Sequence, residues 1–283
     1  MRSTIKLDRW SPPLTRQRSL ADVGPANGSV WIVRHGERVD VVNPDWLVTA
    51  ERPHDPPLTE FGCAQAAATG EYLLELGDRV DFVYTSPFLR CVQTASAIAR
   101  GLGGVPLRVE PGLCEWLNSD WFEANDNPMD AEMGTSKLKH LADTLGVRID
   151  TSYRPLFDSA GRAVASRASK AAAGEPSYQR EVAFPESSDE AIGRYTTTLA
   201  HLRELTPHAV LVTHGYGVWR MSEWLVAREI TEDCGYCSAT RVRRFRNLRG
   251  EEPWRCDVLA YDAHLDTLEQ TGVVAPLGVR AKG

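Results

Sequence analysis

Val30-Trp31-Ile32-Val33, running into Arg34-His35-Gly36, and Ala209-Val210-Leu211-Val212-Thr213, running into His214-Gly215, are the two stretches that decide the fold. Each is a short, almost continuous apolar run that stops at a histidine and a glycine. Side chains alternate across a strand, so an unbroken apolar run predicts a strand buried on both faces, as in a parallel sheet. Such a strand delivers its chain to a functional loop at its carboxyl end.

The segments around these two runs have the lengths of alternating strands and helices. Thr59 stands just before a stretch rich in Ala, Gln, Leu and Glu that reaches about Leu76, with Gly77 as its stop. Asp81 to Thr85 reads as a second strand, Pro87 sits where a first helical turn accepts it, and residues 88–100 continue as a helix ended by Gly101. Val105 to Val109 is a third strand, and a helix from about Val218 to Arg228 follows His214-Gly215. This order predicts an α/β fold, a three-layer α/β/α sandwich with a mainly parallel central sheet and its site at the carboxyl ends of the strands. Residues 1–28, with Pro12, Pro13, Gly24, Pro25 and Gly28, read as an extended N-terminal leader. Residues 29–283 read as one domain with an insertion or lid around 118–187. Within it, the Ala-, Ser-, Gly-, Arg- and Lys-rich run from Asp158 to Arg180 is expected to be a mobile loop.

Composition narrows the function classes. The 283 residues are 42% hydrophobic, which excludes global disorder, and 38 acidic against 32 basic side chains give a net charge of −6. No field of the whole molecule therefore favours nucleic acid or an anionic membrane as partner. The first thirty residues carry charges and prolines instead of a signal-peptide core, and no run approaches the ~18 apolar residues of a membrane span. The expectation is a cytoplasmic protein acting on a small molecule, its oligomeric state open and a homo-oligomer included. Six cysteines are too sparse for a disulfide scaffold. Cys234-Gly235-Tyr236-Cys237 has the spacing of half a zinc site, but no second pair accompanies it, and a structural role is expected. Arg241, Arg243, Arg244, Arg246 and Arg249, in a strand with Val242 and Phe245, read as a solvated sheet edge.

His35 and His214 each follow an apolar strand and precede a glycine, so a parallel sheet could bring them face to face. Arg34, Arg38 and Arg90 add guanidinium groups suited to phosphate oxygens. The expected site is a cationic pocket on an acidic protein.

Four blocks carry a resemblance. Arg34-His35-Gly36-Glu37, Leu58-Thr59-Glu60-Phe61-Gly62 with Gln65 and Ala66, Ser86-Pro87 with Arg90 and Gln93-Thr94-Ala95, and Thr213-His214-Gly215 together resemble the histidine phosphatase superfamily, the phosphoglycerate-mutase-like proteins. Arg34 to Asp40, Ser86 to Ala95, Val109 to Trp116 and Ile149 to Pro155 look like the phosphatase domain of the TULA/Sts regulators and the ecdysteroid-phosphate phosphatases. The resemblance covers roughly residues 29–260, and the 28 residues ahead of it are too few for an SH3 or ubiquitin-binding domain.

The resemblance implies that His35 is the nucleophile, attacking a phosphomonoester to give a phosphohistidine that water later hydrolyses. It implies that Arg34, Arg38, Arg90 and a protonated His214 surround the phosphate oxygens, with no metal or other cofactor needed. Glu115 would protonate the leaving alkoxide if burial or bound phosphate raises its pKa. Trp46 beyond the nucleophile loop, and Trp116, Trp121 and Phe122 beside the acid, are candidates for a slot that takes an aromatic or bulky leaving group. Two alternatives stand beside the phosphatase reading. One is a phosphoglycerate-type mutase or sugar-phosphate phosphatase, and the other is a non-enzymatic phosphate-binding module.

Overall fold

A computed structural model describes residues 26–122, 128–129, 135–158, 180–247, 249–266 and 268. In chain order the elements are β1 (Ala26–Arg34), α1 (Val39–Val42), α2 (Trp46–Thr49), α3 (Glu60–Glu75), β2 (Phe82–Thr85), α4 (Leu89–Gly101) and β3 (Leu107–Val109). There follow α5 (Thr135–Thr144), β4 (Phe157–Asp158), β5 (Arg180–Glu181), α6 (Ser188–Leu205), β6 (His208–Thr213), α7 (Gly215–Val226), β7 (Ala239–Phe245) and β8 (Trp254–Tyr261).

Among the described residues the main sheet has six strands in the order β3-β2-β6-β1-β7-β8, while β4 and β5 pair separately. The pairs β2–β3, β2–β6 and β1–β6 are parallel, and β7 is antiparallel to both its neighbours. The alternation of side chains explains the unbroken apolar runs. Trp31, Val33, Val210 and Val212 enter one core with Leu73 of α3 and Val92, Ala95 and Ile98 of α4. Val30, Ile32, Ala209 and Leu211 enter the other, with Tyr195 and Leu199 of α6 and Val218 and Met221 of α7. Both faces of the sheet are thus covered by helices, as a three-layer α/β arrangement requires.

Several expectations are revised. β1 begins at Ala26, so the last residues of the expected leader belong to the sheet. Gly28 permits this, because a Cβ there would stand 2.8 Å from the Trp254 ring and 2.9 Å from the Pro207 carbonyl. α7 starts at Gly215, directly after His214, rather than near Val218. β7 is an interior strand rather than an edge, because β8 pairs along its outer side. Its arginines are neutralised by distant acids: Arg241 bonds Asp78 and Asp257, and Arg243 bonds Asp78. The interval 118–187 also supplies core, since Leu138, Ala142, Val147 and Ile149 pack with α4. The leader residues 1–25 and the central stretch 159–179, expected to be a mobile loop, lie outside the described residues. No described helix is long and apolar enough to cross a membrane.

Candidate active site

Register builds the site. Arg34 on β1 pairs with Thr213 on β6, and the His35 N–H donates to the Thr213 carbonyl at 3.0 Å, so the next residues, His35 and His214, leave the sheet side by side. Their rings meet edge to face with centroids 5.3 Å apart. Thr85 on β2 pairs with both Val212 and Val109, which places Ser86, and beyond it Arg90 in the first turn of α4, on the same rim. Glu115 arrives after β3 through the tight turn Pro111–Leu113.

The loop after His35 is held against the start of α3. Gly36 lies against the Gly62 backbone and Gly62 against the Glu37 backbone, so closely that neither glycine has room for a Cβ. Thr59 caps α3 by accepting from the Gly62 N–H at 2.8 Å, while its hydroxyl donates to Glu37. The Glu115 loop is held from the opposite side by a buried ion pair. Arg194 makes two 2.7 Å bonds to Glu186, and its remaining donors reach the carbonyls of Gly112, Cys114 and Glu115.

His35 is 1% exposed, and its Nδ1 lies 2.8 Å from the Gly36 carbonyl. A carbonyl can only accept, so Nδ1 carries the hydrogen and Nε2 keeps its lone pair. Burial, then Arg90, His214 and Arg34, hold the His35 pKa well below the ordinary imidazole range, leaving the ring neutral at pH 7.

His214, fully buried, has Nε2 at 2.8 Å from the Ser86 hydroxyl and Nδ1 at 3.3 Å from Glu115 Oε2. Burial lowers its pKa although Glu115 opposes the shift. The free site therefore favours a neutral His214. Glu115 is the other member of this buried pair. Burial alone would raise its pKa, but the hydrogen bond with His214, the Arg90 charge and the Trp116 N–H outweigh burial and hold it low, so the carboxylate is ionised at rest.

Arg34, Arg38 and Arg90 line one cavity of about 460 Å³ together with His35 and Glu115. Arg38 is fixed by a two-pronged pair with Asp40. Arg90 is only 2% exposed and lies 3.7 Å from Asp55 and 3.6 Å from Glu115, yet its Nε and Nη1 have no hydrogen-bond acceptor. Arg34 Nε is likewise without one. Buried guanidinium donors left unpaired are costly unless a ligand completes them, and the group they fit is an anion with several oxygens. The ligand atoms of His35, Glu115 and His214 lie within 4.8 Å of one another, a spacing that could hold a metal ion. Three guanidinium groups on the same walls oppose a cation there and favour an anion.

The aromatic candidates separate. Trp121 and Phe122 line the cavity, whereas Trp46 and Trp116 do not. Trp116 instead stacks on Tyr216 at 4.6 Å and donates its indole N–H to the Glu186 carbonyl, which turns it into a support. Tyr216, unmarked by the sequence reading, is on the wall. Its place immediately after His214-Gly215, at the start of α7, is the signal that could have found it. Asp55 was also missed: its partners Arg90 and the Leu89 N–H lie 34 or more positions away, so no local pattern marks it.

A family model described as histidine phosphatase superfamily (branch 1) matches residues 30–174. The chain is 36% identical over 173 residues to the human ubiquitin-associated and SH3 domain-containing protein B, covering 50% of this chain and 25% of that protein. It is 33% identical over 135 residues to the ecdysteroid-phosphate phosphatase of Drosophila melanogaster, covering 35% of this chain and 18% of that protein. The chain thus spans about a quarter or less of the length of these curated relatives. Among solved structures, the ecdysone phosphate phosphatase of Bombix mori, in complex with tungstate, superposes with a TM-score of 0.54 at 20% identity, covering 91% of this chain and 96% of that one. At that identity the likeness is one of fold.

Proposed function

This chain belongs to the histidine phosphatase superfamily (branch 1), and on that premise we propose that it is a metal-independent phosphatase of small organic phosphomonoesters, working through a phosphohistidine at His35. The observation that carries the reading is the buried His35, neutral and with Nε2 free, in one cavity with Arg34 and Arg90 guanidinium donors that lack acceptors.

His35 Nε2 attacks phosphorus as the bond to the leaving oxygen breaks, and Arg34, Arg38 and Arg90 hold the non-bridging oxygens. The leaving oxygen takes a proton from Glu115. That proton must first be acquired, because Glu115 is ionised in the free site. A bound phosphate dianion repels the carboxylate and attracts a proton to the Glu115–His214 pair, so proton uptake accompanies substrate binding. In the second half, Glu115 takes a proton from water, whose oxygen attacks the phosphohistidine and releases His35 and phosphate. Ser86 keeps the His214 ring in place throughout.

Trp121 and Tyr216 favour a flat or bulky apolar leaving group over a sugar. The names of two relatives, which act on ecdysteroid phosphate, accord with that class. The test is phosphate release from aromatic, steroid and sugar phosphomonoesters, with and without a chelator. Turnover of the aromatic or steroid esters, undiminished by EDTA, is expected. Loss of activity in EDTA, restored by zinc or magnesium, would overturn metal independence, and absence of turnover would leave the phosphate-binding module as the better reading.

A further inference from the structure

The turn Cys234-Gly235-Tyr236-Cys237 has no part in the chemistry described so far, yet it packs directly behind the phosphate clamp. Arg34 Nη1 donates to the Cys234 carbonyl at 2.7 Å. The Arg34 guanidinium carbon lies 4.3 Å from the centre of the Tyr236 ring, and that ring lies 5.7 Å from the His35 imidazole. The Cys237 N–H donates to the His35 carbonyl at 3.4 Å, and the Arg34 N–H to the Ser238 carbonyl at 3.2 Å.

We propose that Tyr236 is a positioning residue of the phosphate site, whose ring face, with the Cys234 carbonyl, fixes the Arg34 guanidinium and thereby sets phosphate affinity. The inference rests on the phosphate-site reading above but goes beyond it, since Tyr236 is outside the cavity lining and acts through Arg34. A guanidinium on a flexible stem loses side-chain freedom when it clamps a ligand, so a partner that orders it beforehand strengthens binding. Tyr236 provides such a partner in the negative face of its ring. Gly215 completes the confinement, for a Cβ there would stand 3.1 Å from the Arg34 guanidinium carbon. The buried Arg34 Nε has no acceptor. The backbone of the turn between the two cysteines holds Tyr236 in this place. Both residues are buried, and Cys237 adopts the left-handed backbone conformation, φ 55°, in the turn that carries Tyr236 to Arg34.

The test compares wild type with Tyr236→Leu and Tyr236→Phe, and with Tyr236→Met as a second ring-free variant should the leucine variant melt early. Inorganic phosphate binding is measured by calorimetry, and KM and kcat with p-nitrophenyl phosphate, alongside thermal melting. The ring-free variants are expected to weaken phosphate binding and raise KM roughly tenfold, with a smaller change in kcat and an unchanged melting midpoint. Tyr236→Phe, which keeps the ring face, is expected to restore both to within about threefold of wild type. Wild-type phosphate affinity in a folded ring-free variant would overturn the inference, as would a Tyr236→Phe as impaired as Tyr236→Leu. A wild type that binds phosphate without turning substrate over would overturn the phosphatase reading and leave this inference standing. A wild type that binds no phosphate would overturn both.

Discussion

The Glu115 carboxylate and the His214 imidazole stand 3.3 Å apart in a buried site, and both have their pKa values held low there. Glu115 is ionised because the Arg90 charge and a hydrogen bond with His214 hold it so, and His214 is disfavoured as a cation because burial removes it from water. Glu115 thus lacks the proton that the leaving oxygen needs, and the arriving phosphate is the charge that can attract it to the pair. This coupling makes the pH behaviour and the leaving-group behaviour two views of one event.

Removing that proton carrier should discriminate between leaving groups. Glu115→Gln is expected to slow hydrolysis of an alkyl phosphate by roughly 10² to 10⁴, the usual span for a lost general acid. A p-nitrophenyl ester, whose leaving group needs no proton, should be slowed much less in steady-state phosphorylation of the enzyme. Equal losses for both esters, measured as kcat/KM, would show that Glu115 acts on phosphate binding instead.

The acid limb of kcat/KM reports His35. Its pKa is lowered, so the nucleophilic neutral form persists below the ordinary imidazole value and is lost only as pH falls through the depressed value. Activity should therefore survive well below pH ~6.5, and it should decline on the alkaline side as the Glu115–His214 pair fails to take up its proton. A pH series in wild type and Glu115→Gln checks both limbs. An acid limb centred near ~6.5 would mean that burial and the arginines do not perturb His35.

Trp121 is 57% exposed at the cavity and Tyr216 forms wall beside it, so the two should set preference for the leaving group. Trp121→Ala and Tyr216→Ala are each expected to lower the ratio of kcat/KM for an aromatic over a sugar ester by about threefold to tenfold, from stacking worth ~0.5–1.5 kcal/mol. Trp46→Ala, off the wall, should leave the ratio as it is. An unchanged ratio in all three would assign the aromatics to packing.

How much of this was legible in the sequence depended on range. Val30–Val33 and Ala209–Thr213 announced buried parallel strands, and the histidines that end them marked the candidate site, because periodicity and strand-end position are local signals. α6 went unread although Ser187 and Glu190 form a capping box and Ala191, Tyr195, Leu199 and Leu202 face the core at helical spacing. It follows directly on the Ala- and Ser-rich tract, whose composition masked the change of pattern. The arginines of β7 suggested an edge because their neutralising acids sit elsewhere in the fold, Asp78 in the loop after α3 and Asp257 on β8. The ionisation of Glu115 was hidden for the same reason, since Arg90 and His214 reach it only through the fold.

The support beneath the acid loop can be tested by stability. Glu186 and Arg194 are both almost fully buried, and breaking such a pair leaves an uncompensated charge. Glu186→Gln is expected to cost about 3 kcal/mol in urea unfolding, at the low end of that class because the amide keeps one acceptor. A loss under ~0.5 kcal/mol, the scale of an ordinary surface change, would show that the acid loop does not depend on the pair.

The phosphohistidine itself is directly accessible to rapid-quench labelling with a substrate carrying radioactive phosphorus. In wild type an acid-labile, base-stable label is expected on the peptide that contains His35, and folded His35→Ala should show neither label nor turnover. Substantial turnover by folded His35→Ala, or label on a residue other than His35, would contradict the nucleophile on which the chemistry proposed here depends.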